Sequence, residues 1–239
     1  ITDRCNLRCI YCMPEEGISQ TAHKEILTYD EIRRICRCMT ALGIKKIKLT
    51  GGEPLTRKDS AVLVRMLKEL PGIEKVTLTT NGILLKEQMA ELAEAGIDNI
   101  NISLDTLNTE AFQKITRREG LTRVLEGLKE AMKYPQIGLK INCVPVLEDP
   151  ENLINLAGIA RDNPIHVRFI EMMPIGYGKE FRFCGEDEIC SVLEGAYGEM
   201  TPITEKYGNG PCHYYKISGF QGKIGFISAM THKFCSQCN

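Results

Sequence analysis

Short apolar segments alternate with longer amphipathic segments through most of the chain, and this order restricts the fold more than any other feature. Each strand-like segment is followed by a turn and then by a helix-like pattern. Strands joined through helices pair in parallel, because the crossover returns the chain to the same end of the sheet. The predicted strands are 44–49, 75–80, 98–105, 137–146 and 165–173, and the predicted helices are 29–42, 59–70, 86–95, 121–133 and 150–161.

The pattern changes after Met173, where a boundary between two domains is predicted. Residues 186–194 fit one helix, and 213–218 with 223–230 fit a β-hairpin around a glycine-bounded turn. We therefore divide the chain into a core, 1–173, and a C-terminal α+β extension, 174–239. The chain begins with Ile rather than Met, and we expect a fragment truncated at both ends, with a sixth strand preceding Ile1.

The net charge of the chain is close to zero. The 30 basic and 31 acidic residues give a net charge of −1, which gives no support for nucleic-acid or membrane binding by the whole chain but allows a local basic pocket. No apolar run approaches the roughly 18 residues of a membrane span. We expect no nucleic-acid or membrane partner.

Three of the 11 cysteines fall within eight residues, as Cys5-x3-Cys9-x2-Cys12. Thiolates select zinc, copper(I) or iron–sulfur clusters. Structural zinc normally takes four protein ligands, so three thiols leave one coordination position for another molecule. The alternatives are a zinc knuckle with a distant fourth ligand and a chance spacing. A long α/β chain with clustered cysteines favours a reducing compartment, and we expect a cytoplasmic protein.

The cysteine spacing, with the aromatic Tyr11 before the third cysteine, resembles the radical S-adenosylmethionine (SAM) superfamily. The resemblance implies an incomplete (β/α)6 parallel barrel and a [4Fe–4S] cluster on Cys5, Cys9 and Cys12, whose open iron binds SAM. It also implies reductive cleavage of SAM to a 5′-deoxyadenosyl radical, so no side chain is expected to act as catalytic acid or base.

Other segments agree with a SAM site at the strand ends. Two glycines in Leu49-Thr-Gly-Gly-Glu-Pro54 allow close backbone approach to a ligand, although the motif alone also fits a tight turn between strand and helix. Ser103 is either a ligand contact or a strand-end cap. The residues expected at SAM are Tyr11, Gly51, Gly52, Glu53, Ser103 and Met173, and simple packing remains an alternative for Tyr11 and Met173.

Longer motifs resemble one family within the superfamily, the GTP 3′,8-cyclases of molybdenum cofactor biosynthesis. They are ITDRCNLRCIYCMPEEGI, LTGGEPLTRKD, TTNG, NISLDTL, VRFIEMMPIG and FCSQCN. The resemblance implies a lyase that converts GTP to 3′,8-cyclo-7,8-dihydro-GTP. It also implies a second [4Fe–4S] cluster on Cys235, Cys238 and a third cysteine beyond the chain.

A GTP site needs cations. Lys140 lies inside an otherwise apolar strand, where a lysine requires a partner or a ligand, and alternation places it on the same face as Asn142. Lys48 and Arg168 are further candidates, and for all three the alternative is a solvated charge. Thr79 is predicted to hydrogen-bond the nucleotide.

The family implies further partners, namely an electron donor, a downstream pyranopterin-forming enzyme and often a second copy of the chain. Two competing functions remain: a radical SAM enzyme acting on another substrate such as a peptide, and a non-enzymatic zinc or cluster module. Six other cysteines have no ligand spacing and are interpreted as buried small hydrophobes; they are Cys36, Cys38, Cys143, Cys184, Cys190 and Cys212.

Overall fold

A computed structural model describes residues 1–146, 149–182, 184–205, 207 and 210–234. It divides into two compact units. The first contains Ile1–Leu7, Gly17–Ser103 and Gly120–Leu139, and the second contains Arg8–Glu16, Leu104–Glu119 and the residues from Lys140 onward. The predicted division into 1–173 and 174–239 stays a prediction.

The regular elements follow the predicted alternation. The helices are α1 (Tyr29–Ala41), α2 (Ser60–Lys68), α3 (Leu85–Glu94), α4 (Thr109–Thr116), α5 (Leu121–Ala131), α6 (Pro150–Asp162) and α7 (Glu186–Tyr197). The strands are β1 (Lys46–Leu49), β2 (Lys75–Thr80), β3 (Asn99–Ser103), β4 (Gly138–Cys143), β5 (His166–Ile170), β6 (Met200–Ile203), β7 (His213–Ile217) and β8 (Ile224–Ile227). Short 3-10 turns lie at His23–Glu25, Pro54–Thr56 and Gly176–Glu180.

In the first unit, β1, β2 and β3 pair in parallel in that order, with Lys46 opposite Lys75 and Thr77 opposite Asn99. Helices α2 and α3 contribute apolar side chains that are almost completely buried. Each such side chain contributes about 1.5–3 kcal/mol through burial. The buried set includes Leu63, Val64, Leu67, Val76, Leu78, Met89, Leu92, Ile100 and Ile102.

The second unit contains a mixed sheet in the order β4-β5-β8-β7-β6, in which β4, β5 and β8 are parallel and β8, β7 and β6 are antiparallel. Its core includes Val167, Phe169, Tyr214, Ile224 and Phe226, each at most 1% exposed. The predicted hairpin is confirmed, because β7 and β8 pair with each other.

Several boundaries differ from the prediction. Strand β4 ends at Cys143 and β5 at Ile170, so the predicted strands ran about three residues too far. Helix α4 and strand β6 were missed. Helix α4 is a short helix fixed by the side chain of Asn108, which accepts from the Ala111 amide, and β6 contains Pro202, which a strand tolerates poorly. The strand expected before Ile1 stays a prediction.

Two buried glutamates hold the turn that follows β8. Glu171, just after β5, accepts from the backbone amides of Met230 (2.7 Å) and Thr231 (3.0 Å). Glu186, the first residue of α7, accepts from Tyr215 (3.1 Å) and Ser228, and its carboxylate also lies 2.6 Å from His213 Nε2 and 3.3 Å from His232 Nδ1. The two glutamates are 4% and 2% exposed, so these partners offset the cost of burying their charge.

The first unit also contains a tight backbone contact at its amino end. The amides of Gly52 and Glu53 donate to the carbonyls of Thr2 and Arg4, both at 2.7 Å. A Cβ on Gly52 would lie 2.3 Å from the Arg4 carbonyl oxygen. Glycine is therefore required here by the close approach of another backbone segment.

No helix in the described part of the chain is long and apolar enough to cross a membrane.

We predict that Gly52→Ala destabilises the protein by about 2 kcal/mol, because the methyl group forces the two backbone segments apart. Gly195→Ala serves as the control, since a Cβ there meets open space inside α7. Denaturant unfolding of the cluster-free protein measures both. Equal denaturant midpoints for Gly52→Ala and the parent would contradict the claim that the close backbone contact requires glycine at this position.

We predict that Glu186→Gln lowers the free energy of unfolding at neutral pH by about 2 kcal/mol. The NH2 group of glutamine would replace a carboxylate oxygen that now accepts a hydrogen bond, so one buried donor would lose its acceptor. Burial raises the pKa of Glu186, but hydrogen bonds from His213, Ser228 and Tyr215 together hold it below its ordinary value of 4.5. A carboxylate whose pKa is lower in the folded than in the unfolded state stabilises the folded protein at pH values above the unfolded-state pKa. This stabilisation is lost as the pH falls through the folded-state pKa.

The difference in the free energy of unfolding between Glu186→Gln and the parent should therefore be largest at pH 7 and should shrink as the pH falls below about 4.5. Unfolding curves across pH 3 to 7 measure it. Glu188→Gln, on an exposed site of the same helix, is the control and should change little. A Glu186→Gln difference that stays constant across this range would contradict the prediction.

Candidate functional site

The cysteine segment is divided between the two units after Leu7. In the first unit, Cys5 Sγ accepts from the Leu7 amide at 3.4 Å and lies 4.0 Å from Asn81 Nδ2, whose amide also donates to Asn6. In the second unit, the Cys9 carbonyl accepts from the amides of Cys12 (2.9 Å) and Met13 (3.1 Å), which forms a tight turn.

The donor set fits an iron–sulfur cluster, since three thiols lie on a short segment and Cys12 is exposed to an incoming group. Partial burial raises the pKa of the Cys12 thiol. Among the described residues, no three His, Cys, Asp or Glu side chains are gathered closely enough to hold a metal ion. The metal assignment of Cys5, Cys9 and Cys12 therefore stays a prediction.

Tyr11 lies between these thiols and is bound through its hydroxyl. The hydroxyl donates to Asp105 Oδ2 at 2.7 Å, and Asp105 Oδ1 accepts from the Val144 amide at 2.8 Å. Burial raises the pKa of Asp105 to about 6, against the opposing effect of these two hydrogen bonds. Burial and the neighbouring Asp105 also raise the pKa of Tyr11.

The Gly51-Gly52-Glu53 turn presents backbone rather than side chains. Glu53 is 1% exposed, and its carboxylate accepts from the amides of Leu55 (2.9 Å) and Asn81 (2.6 Å) and from the Thr80 hydroxyl (2.7 Å). Burial raises the pKa of Glu53. With these three partners, Glu53 fixes the turn between β1 and α2, and both glycines remain exposed.

The other predicted ligand residues lie at or beyond strand ends. Thr79 is half-buried and lies 3.3 Å from Asn101 Nδ2. Ser103 is the half-buried last residue of β3, and Lys48 is exposed on β1. Met173 lies three residues past β5 with 48% of its surface exposed. Their roles at SAM and GTP stay predictions.

Lys140 and Arg168 lie on one face of the neighbouring strands β4 and β5, and Lys140 shares that face with Asn142, as the alternation predicted. Lys140 is opposite His166 and Asn142 is opposite Arg168 in the parallel register of β4 and β5. Arg168 Nε donates to Asn142 Oδ1 at 2.8 Å, and Lys140 Nζ lies 5.8 Å from the centre of the Tyr214 ring.

His166 and Lys223 join the same face and were missed by the sequence analysis. Burial first, and then the charges of Lys140, Lys223 and Arg168, lower the pKa of His166 to about 4. The imidazole is therefore neutral at pH 7, and the three nearby cations add to the larger effect of burial. The two-residue spacing of His166 and Arg168 was the available signal.

The remaining cysteines behave differently from one another. Cys36 and Cys143 are buried, as predicted, whereas Cys38 is exposed and its prediction was wrong. Cys36 and Cys38 are two residues apart on α1 and so point in different directions. Cys184, Cys190 and Cys212 are only half-buried. The pair Cys235 and Cys238 lies outside the described residues.

Comparison with known proteins agrees with the cysteine and glycine motifs. The family profile described as Radical SAM superfamily matches residues 1–158, and the profile described as Molybdenum Cofactor Synthesis C matches residues 165–239. A curated GTP 3′,8-cyclase from Pelotomaculum thermopropionicum is 40% identical over all of this chain and 75% of its own length. Another, from Peptoclostridium acidaminophilum, is 43% identical over all of this chain and 74% of its own length.

Solved structures show the same fold at lower identity. Streptococcus suis SuiB bound to its precursor peptide SuiA is 24% identical with a TM-score of 0.64, over 74% of this chain and 39% of that chain. Methylornithine synthase is 20% identical with a TM-score of 0.61, over 81% of this chain and 59% of that chain. The chain thus spans only part of these structures, which confirm the predicted fold class, an incomplete β/α barrel of radical SAM type.

The superfamily profile covers most of the chain, and curated relatives match it from end to end at 40–43% identity. The chain therefore belongs to the radical SAM superfamily and, within it, to the GTP 3′,8-cyclase family.

Proposed function

We propose that the protein is a radical SAM GTP 3′,8-cyclase that converts GTP to 3′,8-cyclo-7,8-dihydro-GTP in molybdenum cofactor biosynthesis. The observation that carries this proposal is the end-to-end match to curated GTP 3′,8-cyclases at 40–43% identity. The cationic face of the second unit, formed by Lys140, Arg168 and Lys223, supports the proposal independently, because a nucleoside triphosphate needs concentrated positive charge.

Cys5, Cys9 and Cys12 would hold the [4Fe–4S] cluster, which with bound SAM supplies a 5′-deoxyadenosyl radical. The chain's own residues position and enclose the reactants. The backbone of Gly51 and Gly52 offers SAM a surface without side chains, and Glu53 holds that turn in place. Ser103, Met173 and the segment around Tyr11 are proposed as the further contacts of SAM.

Lys140 and Arg168 are proposed to bind the triphosphate of GTP. Their charges lie on one face of β4 and β5, where His166 stays neutral and so adds no further charge. Asn142 orients the guanidinium of Arg168 through a 2.8 Å hydrogen bond. Holding the nucleotide in one orientation favours reaction at a single carbon, since positioned groups react far faster than free ones. Lys48 and Thr79 are proposed as further nucleotide contacts.

The finer parts of the proposal rest on the family resemblance. Cys235 and Cys238 would hold a second [4Fe–4S] cluster together with a third cysteine beyond the chain. An electron donor, a downstream pyranopterin-forming enzyme and a second copy of the chain are the proposed partners. The proposed location is the cytoplasm, where a reducing environment keeps thiols free.

The direct test is an anaerobic reaction with reconstituted clusters, dithionite, SAM and GTP. We expect 5′-deoxyadenosine and a cyclised GTP product to appear together by mass spectrometry, in a chain extended to the length of its relatives. Omitting GTP should lower 5′-deoxyadenosine formation. Equal 5′-deoxyadenosine with and without GTP, and no cyclised nucleotide, would refute the substrate and leave the radical SAM assignment intact.

We predict that Lys140→Met and Arg168→Gln each raise the KM for GTP by about tenfold or more, because each removes one charge-assisted contact to phosphate. The first substitution keeps an unbranched side chain of nearly the same length and removes its charge. Initial rates at varied GTP concentration measure the effect. Basal SAM cleavage without GTP should be unchanged.

Lys133→Met is the matched control, since Lys133 is an exposed lysine just after α5, with Glu130 as its partner at 2.7 Å. Its KM for GTP should equal that of the parent. If Lys140→Met and Lys133→Met give the same KM, the cationic face does not bind the triphosphate.

A further inference from the structure

The amino-terminal half of the turn that carries Cys9 and Cys12 is held by backbone hydrogen bonds to the end of α4. The Arg8 amide donates to the Thr116 carbonyl and the Ile10 amide to the Ile115 carbonyl, both at 2.9 Å. Segment 8–13 and α4 both belong to the second unit. The turn is thus attached to a helix that lies about a hundred residues later in the chain.

Arg117 closes the segment. Its Nη1 donates to the carbonyl of Arg8 at 3.3 Å and to the carbonyl of Met13 at 3.1 Å. These two carbonyls lie just before Cys9 and just after Cys12. One guanidinium therefore bridges the two ends of the turn that carries both thiols.

Arg117 has a backbone conformation that disfavours its side chain. Its φ of 54° lies in the left-handed region, where a residue with a Cβ is strained and glycine is not. Such strain persists only where the surrounding structure requires that residue. Glycine would adopt this backbone conformation at lower cost. We therefore attribute the presence of arginine to the contacts of its guanidinium group.

Asp105 holds the middle of the segment. It accepts from the Tyr11 hydroxyl at 2.7 Å, and its other oxygen accepts from the Val144 amide at 2.8 Å. The Asp105 carbonyl accepts from Asn152 Nδ2 at 2.8 Å, so Asp105 is itself fixed from two sides. Tyr11 lies directly between the two thiols in sequence, and its ring orientation is thereby set.

We propose that Arg117 and Asp105, the latter through Tyr11, are positioning residues that fix the Cys9 and Cys12 thiols before the cluster binds. A preformed turn loses less conformational entropy on binding metal than a free one does. Groups that orient metal ligands typically change metal affinity by about 10- to 100-fold when they are removed. The proposal rests on the radical SAM cluster and is independent of the substrate.

Arg117→Gly is the decisive variant, because it relieves the backbone strain while it removes the bridge. The variant should melt at the same or a higher temperature in the cluster-free state, yet lose iron to a chelator about tenfold faster than the parent. Asp59→Gly is the matched control: Asp59 has the same left-handed backbone, with φ of 58°, in the first unit. It should gain stability without any change in iron loss.

Tyr11→Phe and Asp105→Ala test the second contact, with Tyr134→Phe as the control for loss of a hydroxyl. Both should accelerate iron loss and alter the electron paramagnetic resonance spectrum of the reduced cluster. Asp105→Asn should restore slow iron loss, because its oxygen accepts from Val144 and its amide group donates to the Tyr11 hydroxyl. All variants carry Cys235→Ser and Cys238→Ser, so that the spectrum reports the first cluster.

Iron loss at the parental rate in both Arg117→Gly and Tyr11→Phe would overturn the proposal. Faster iron loss that merely follows a lower cluster-free melting temperature would also overturn it, since the contacts would then stabilise the fold rather than position the thiols. None of these measurements uses GTP. A protein that passes them but never cyclises GTP would refute the proposed substrate and leave this inference standing.

Discussion

Parallel pairing within each unit is the constraint on which the candidate site depends. In a parallel sheet, paired residues lie on the same face, and all carboxyl ends of the strands meet at one edge. This register places Lys140 beside His166 and Asn142 beside Arg168 in the second unit. In the first unit it places the ends of β1, β2 and β3, with the Gly51-Gly52 turn, at one edge. Functional groups far apart in the sequence are collected by this single rule.

Charged side chains of the second unit fall into two networks with different surroundings. Glu171 and Glu186 are surrounded by amide, hydroxyl and imidazole groups, and their function is to hold the turn after β8. Lys140, Lys223 and Arg168 instead bring positive charge close to His166 and, after burial, contribute to its low pKa. Fully satisfied carboxylates stabilise a fold, whereas concentrated cations favour an anionic ligand. The two networks therefore have different functional meanings.

The strained residue after α4, Arg117, connects stability with the geometry of the cysteine segment. Arg117 accepts a backbone conformation that glycine adopts freely, and its guanidinium contacts the carbonyls on either side of Cys9 and Cys12. Strain at one residue is a modest cost compared with holding two thiols in a fixed geometry. Glu53 is a second case: burying its carboxylate has a cost, and its hydrogen bonds fix the turn that contains Gly51 and Gly52. In both cases a side chain serves the geometry of its neighbours.

The sequence by itself determined the strands, most helices, the thiol spacing and the shared face of Lys140 and Asn142, because these follow from local periodicity and short-range chemistry. It failed for α4 and β6, which are short; α4 depends on a side-chain cap, and β6 contains a proline and depends on pairing with β7. Only the tertiary structure decided that Asp105 binds Tyr11, that Arg117 bridges Arg8 and Met13, and that His166 is neutral. These contacts join residues up to about a hundred positions apart, and no local pattern specifies which distant partner a polar side chain will meet.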